Sequence, residues 1–175
     1  MKNNLYILLL VFILFFNKNT FSQEINIKAD IIKIDIVNQI TRFTGDVNAE
    51  DKYQNKFKSN SATYEKNTNI FKTFDKTEII TEAGYKIYSS DVTLDINKKL
   101  IFSNNQSDII DKDGNIINVP MFEYFATKNL FFSKGSIQIK DTSNNNYNFS
   151  EIYIDDEWVS SSSRARARYP IRLTV

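Results

Sequence analysis

The groups in this chain that could do chemistry near neutral pH are its 21 carboxylates, its lysines and its hydroxyls; histidine and cysteine are both absent. Without histidine the commonest general base, metal ligand and pH switch are missing, and without cysteine there is neither thiol chemistry nor a disulfide framework. Two carboxylate arrangements remain. Asp111 and Asp113 are a close acidic pair, and a polysaccharide hydrolase needs paired acids roughly 5 to 10 Å apart across a cleft. They stand, however, in Asp-Lys-Asp-Gly, a common turn sequence. Asp35, Glu65, Asp95 and Asp155 recur at a spacing of thirty, with Phe125 filling the fourth place. Carboxylates stacked in this way could hold divalent cations, but metal-binding repeats bring glycine and aspartate in tight short motifs that this chain lacks. The expectation is that each carboxylate faces water and caps the turn that follows it. The residues call for no enzyme activity, no metal and no cofactor.

The elements that carry those carboxylates repeat. Ile32, Ala62, Val92, Phe122 and Ile152 form one column at a spacing of thirty, and Ile34, Tyr64, Leu94, Tyr124 and Ile154 form another. Further columns are Ile40, Ile70, Leu100, Leu130; Ala49, Ile79, Ile109, Ile139; and Phe57, Ile87, Ile117, Tyr147. Fixed-period similarity of this length marks a stacked repeat. Apolar residues two apart and rich in β-branched and aromatic types predict strands. Because thirty is even, every column keeps one side of the sheet. Between Ile40 and Val47 the parity changes, which requires an extra residue. The column Gly45, Asp75, Asn105, Gly135 tolerates a left-handed backbone and is the expected bulge. Turns are expected at Gln54, Gly84, Gly114, Asn144 and around Asn38, Asn67, Asn97, Asn129. Each unit reads as two bent strands and two turns, so the fold class is all-β, a folded-over sheet with an apolar lining.

The ends differ from this body. Lys2 precedes twelve apolar residues, Leu5 to Phe16, too few for the roughly 20 of a membrane-spanning helix. Residues 1–22 therefore read as a secretory signal peptide, residues 23–157 as one repeat domain, and residues 158–175 as a Ser/Arg tail outside the fold. A net charge of +1 gives no reason to expect nucleic acid.

The stretch from Ile27 to Asp155 resembles the OstA-like periplasmic domain of lipopolysaccharide-assembly proteins, most of all the N-terminal domain of LptD. The resemblance rests on Lys28-Ala29-Asp30-x-Ile32-x-Ile34-Asp35, the step Phe43-Thr44-Gly45-Asp46-Val47, and the restarts Ser61-Ala62-Thr63-Tyr64-Glu65 and Phe149-Ser150-Glu151-Ile152-Tyr153-Ile154-Asp155. It implies a folded-over β-jellyroll, here a β-solenoid of 30-residue repeats, in the periplasm and associated with the outer membrane. Lipopolysaccharide acyl chains would lie in its groove. Other Lpt β-jellyroll domains would stack edge to edge, and an LptD would add an outer-membrane barrel and a lipoprotein partner. The chain lacks the cysteines and the barrel of LptD, so it reads as a truncated LptD, with a stand-alone LptA-like bridge as one alternative and a docking solenoid without lipid as another. The residues expected to line the groove are Ile34, Tyr64, Leu94, Tyr124, Ala49, Ile79, Ile109 and Ile139, each set against ordinary core packing. Ala49 offers the least apolar surface.

Overall fold

Alternation of apolar and polar residues on a β-branched, aromatic-rich chain gives thirteen strands, and all regular structure among the described residues is strand. The computed structural model describes residues 24–154; the signal peptide expected at 1–22 and the tail at 158–175 lie outside them, as does Asp155. The strands are β1 (Ile25–Lys28), β2 (Ile31–Asp35), β3 (Ile40–Asp51), β4 (Lys56–Glu65), β5 (Ile70–Ile80), β6 (Lys86–Ser90), β7 (Thr93–Asp95), β8 (Leu100–Ser103), β9 (Ser107–Ile110), β10 (Ile116–Val119), β11 (Phe122–Phe125), β12 (Leu130–Lys140) and β13 (Asn146–Ile154). Every pairing is antiparallel.

The pairings define two layers. In the first, β2, the start of β3, the end of β4, the start of β5, β7, β8, β11, the start of β12 and the end of β13 follow one another. In the second, β1 and the other halves of the long strands alternate with β6, β9 and β10. The long strands β5 and β12 belong to both layers. The path β5-β6-β9-β10-β12-β11-β8-β7 therefore returns to β5, an eight-strand closed ring. β4, β3, β1 and β2 extend the sheet beyond β5, and β13 extends it beyond β12.

The fold between layers occurs at the expected bulge. The register slips between Thr44 and Val47 in β3, between Phe74 and Thr77 in β5 and between Lys134 and Ile137 in β12, where Gly45, Asp75 and Gly135 have φ of 78°, 60° and 122°. The third unit differs. Asn105 lies in the break between β8 and β9, its Nδ2 donating to Ser90 O and Asp91 Oδ2, and Asp91 is left-handed instead, at φ 49°. Left-handed residues also mark the turns: Gln54, Gly84, Gly114 and Asn144 as expected, and Gln39, Asn69, Lys99 and Asn129 on the other side.

One column needs correcting. Ile40, Ile70, Leu100 and Leu130, expected on the inward face, are each half-buried on the outer face, cross-strand from Glu65, Asp95 or Phe125. The inward residues are their successors Phe71, Ile101 and Phe131, with exposures of 1%, 0% and 0%. The hairpin turn itself reverses parity, because Tyr64 pairs with Phe71, and the sequence reading assigned that reversal to the wrong place.

The second-layer turns share a clamp. Asp51 Oδ1 accepts the amides of Tyr53 and Asn55 (2.8 and 2.9 Å), while its Oδ2 accepts Asn55 Nδ2 (2.8 Å). Asp111 with Asn115 and Asp141 with Asn145 repeat this arrangement. The hydrogen bond from Asn145 holds the Asp141 carboxyl below its usual range, whereas burial pushes Asp51 up against the same kind of bonds.

Two outcomes are expected. Gly135→Ala forces a Cβ to 2.6 Å from Pro120 Cγ at φ 122°, and should lower unfolding stability by about 2–3 kcal/mol. Gly84→Ala meets nothing closer than Lys112 Cβ at 3.8 Å, so it should cost only the left-handed penalty of about 1–2 kcal/mol; urea midpoints at unchanged m-value measure both. Acid titration separates the clamps. Asp141 stabilises the fold above its unfolded pKa, and that contribution is lost as pH falls through its lowered folded value. Asp51 has the opposite sign, its contribution being complete below the unfolded pKa and lost as pH rises through the raised folded value. Between about pH 6 and about pH 3, Asp141→Asn should lose less stability than the parent protein and Asp51→Asn more.

Candidate functional site

Directly paired residues in an antiparallel ladder share a face, so the register identifies the inner surface without ambiguity. In the first layer one inward row runs Ile34, Thr41, Tyr64, Phe71, Leu94, Ile101, Tyr124, Phe131, Ile154. In the second layer the matching row is Ile27, Ala49, Phe57, Ile79, Ile87, Ile109, Ile117, Ile139, Tyr147. All eight residues expected to line a groove stand in these two rows. Phe71, Ile101 and Phe131 complete the first row, and a search for columns one residue beyond Ile70 would have found them.

The rows are not uniformly covered. Within the closed ring Ile79, Ile109 and Tyr124 have no exposure and Leu94 has 2%. Ala49 is also buried, and Tyr64 and Ile139 are partly buried against the core. Ile34 is different. It sits on the inner face opposite Thr41, two residues from the Ile32–Phe43 pair, yet it is 69% exposed. Phe43 is buried while Ile32 beside it is half-exposed, so the apolar inner surface runs out of the core and into solvent at the β2 edge. At the other edge Tyr147 is exposed and Phe149 and Ile154 are partly buried. The site is therefore an apolar slot, filled at its centre and open at both edges.

The lips of the slot are the turns of the two layers. Tyr64 and Tyr124 each donate their hydroxyl to Oδ1 of a left-handed turn asparagine, Asn69 and Asn129, at 2.9 Å; burial raises the Tyr64 hydroxyl above its usual pKa. Asn129 Nδ2 reaches across to Glu82 Oε2 at 3.3 Å. Tyr53, Leu94, Ile96 and Lys99 enclose a hollow of about 10 Å³ between the lips, room for one water at most. A hollow of about 400 Å³ lies elsewhere, lined mainly by the outward residues Asn48, Glu50, Lys56, Lys58, Glu78 and Ile80; it is outside the slot and mixes both charge signs.

The acidic residues hold turns. Asp35 Oδ1 accepts the Asn38 amide and Asp95 Oδ1 the Lys98 amide, both at 3.0 Å, and Glu65 Oε2 accepts Thr68 Oγ1 at 3.1 Å. The side-chain bond from Asn38 lowers the Asp35 pKa. For Asp95 burial acts upward, but the Lys98 amide and ammonium together outweigh it and the pKa is lowered. Asp111 Oδ1 is likewise occupied by the amides of Asp113 and Asn115.

No protein-family model matches the chain, and no curated protein matches it significantly. Among solved structures the fold is similar to that of LptH from Pseudomonas aeruginosa, described as the LptA-homologous periplasmic component of the conserved lipopolysaccharide transport device. The likeness has a TM-score of 0.56 at 17% sequence identity, and covers 71% of this chain and 93% of that one. At that identity it establishes a common fold, an all-β architecture of the LptA type, built on these two facing rows.

Proposed function

We propose that this protein is a periplasmic carrier of lipopolysaccharide that holds acyl chains between its two sheet layers. The observation that carries the reading is the exposed continuation of the inner apolar face, at Ile32 and Ile34, out of a buried core. An acyl chain of roughly a dozen carbons left in water forfeits on the order of 10 kcal/mol at about 0.8 kcal/mol per methylene. A carrier therefore needs a continuous apolar track, and the two inward rows supply one. The LptA-type fold supports the same reading, and points to a bridge component more than to LptD in particular. In this reading the thirty-residue units stack as a β-solenoid, and neighbouring Lpt β-jellyroll domains add at its ends. The β2 edge suits such addition, because Ile36 and Val37 beside it are 83% and 91% exposed and an uncovered apolar edge strand is otherwise an aggregation hazard. Association with the outer membrane would follow from such a bridge.

A second reading is favoured by the filled centre of the slot: a docking module that joins envelope proteins through its edges and carries no lipid. A photo-reactive residue placed at Ile34, Leu94, Tyr124 or Ile109 separates the two. The carrier should yield lipopolysaccharide adducts, strongest at Ile34 where the row is open. Protein adducts at Ile34, with no lipid adduct at any position in a folded protein, would instead establish the docking module.

A further inference from the structure

Among the described residues three of the four second-layer turns are closed by an aspartate–asparagine clamp: Asp51 with Asn55, Asp111 with Asn115, Asp141 with Asn145. The remaining turn carries Thr81 and Tyr85 at those places. Thr81 Oγ1 still accepts the Tyr85 amide at 3.0 Å, but the side chain at 85 takes no part in the clamp. Its ring turns into the slot, 2% exposed, with its centroid 6.5 Å from that of Tyr124 and 6.4 Å from that of Phe131. Tyr85 lies outside the strand ladder, its amide and carbonyl both engaged with Thr81 in its own turn. The ring can therefore swing out without breaking a ladder hydrogen bond. The same turn is held against the opposite layer by the Glu82–Asn129 contact.

We propose that the Tyr85 ring is a resident plug in an acyl-chain subsite, and that a linear acyl chain binds beside Tyr124 and Phe131 by displacing it. This rests on the lipid-carrier reading and locates where in the slot a chain lies. Three features support it. The ring fills the space between the layers on the lip side of the closed ring, against Tyr124 and Phe131 of the opposite layer. The backbone of Tyr85 is held by a turn and not by strand pairing. A lip contact between Glu82 and Asn129 would have to part for the turn to lift, which couples ring exit to opening of the slot.

The test uses the full chain and cis-parinaric acid, a fatty acid whose emission rises in apolar surroundings. Thr81→Asp with Tyr85→Asn installs the clamp of the other three turns and removes the ring, so the turn stays capped; circular dichroism checks the fold. Removing a resident competitor raises the competent fraction, and the apparent Kd should tighten by about tenfold or more. Equal Kd for parent and variant overturns the plug and leaves the carrier reading standing. No binding by either, with the variant folded, overturns both. A second variant decides the matter if the first does not fold. The protein has no cysteine of its own, so Glu82→Cys with Asn129→Cys can be joined by a short bifunctional thiol reagent. The cross-linked protein should lose the probe binding that the uncross-linked form shows, and undiminished binding would overturn the proposal.

Discussion

A strand shows alternate side chains to opposite faces, so a sheet folded over on itself keeps its apolar set inside only if the residue count across the fold is controlled. Here the count differs between neighbouring strands. Strands running from the first layer to the second spend four residues from one inward position to the next: Phe43 to Val47, Thr73 to Thr77, Ser103 to Ser107, Ser133 to Ile137. Strands running back spend three: Ser59 to Ala62, Ser89 to Val92, Val119 to Phe122. The difference of one residue is a bulge, and Gly45, Asp75 and Gly135 supply the left-handed backbone it needs. The two inward rows depend on that count. A slip of one residue would turn side chains such as Phe71, Ile79 and Ile109 to water, each at a cost of about 1.5–3 kcal/mol.

The bulges create a second requirement, because an interrupted ladder strands buried backbone groups. Small hydroxyl residues along the crease take them up. Ser59 Oγ donates to Phe74 O at 3.0 Å, Ser103 Oγ to Ser90 O at 2.8 Å and Ser133 Oγ to Met121 O at 2.7 Å. Thr73 Oγ1 accepts the Val92 amide at 3.2 Å and a hydrogen bond from Thr77 Oγ1 at 2.7 Å. Among the described residues no buried side-chain polar atom is left without a partner. The interior is thus graded, with hydroxyls at the crease, aliphatic and aromatic side chains in the middle, and the turn clamps at the lips.

How much of this was legible depended on which physical signal each residue carries. Strand class, spacing, the bulge at Gly45 and Gly135, and the turns at Gly84 and Gly114 follow from β-propensity, an even period and left-handed tolerance, all visible in one chain. Phe71, Ile101 and Phe131 were missed because parity was carried through the hairpin as though the turn did not reverse it. The hydroxyl column Thr73, Ser103, Ser133 was missed for another reason. Serine and threonine carry no apolar signal, although their spacing of thirty is as regular as that of the isoleucines. The closing of β5 on both β6 and β7 had no local signal, since ring closure is a property of the whole sheet. Nor did the exposure of Ile34, whose partner row simply ends at an edge.

In the carrier reading the same rows serve as core and as track, and these roles oppose one another. A core must be filled to be stable, and the closed ring is filled: Ile79, Ile87, Ile101, Ile109, Phe122, Tyr124 and Phe131 have no exposure. A track must have room, and the room lies at the edges, where β2 and β13 lack a neighbour on one side among the described residues and the inner rows emerge half-covered. An eight-strand loop of ladder hydrogen bonds resists being spread as a unit, because widening it breaks pairing at more than one place. The edges can part more cheaply, since among the described residues β2 is bonded only to β3 and β13 only to β12. Any chain reaching the centre must therefore come in from an open edge or between the lips. In the carrier reading what stands in its way at the lips is turn geometry and side-chain rotation, and the ring of ladder hydrogen bonds is what would keep the walls in register as a chain enters.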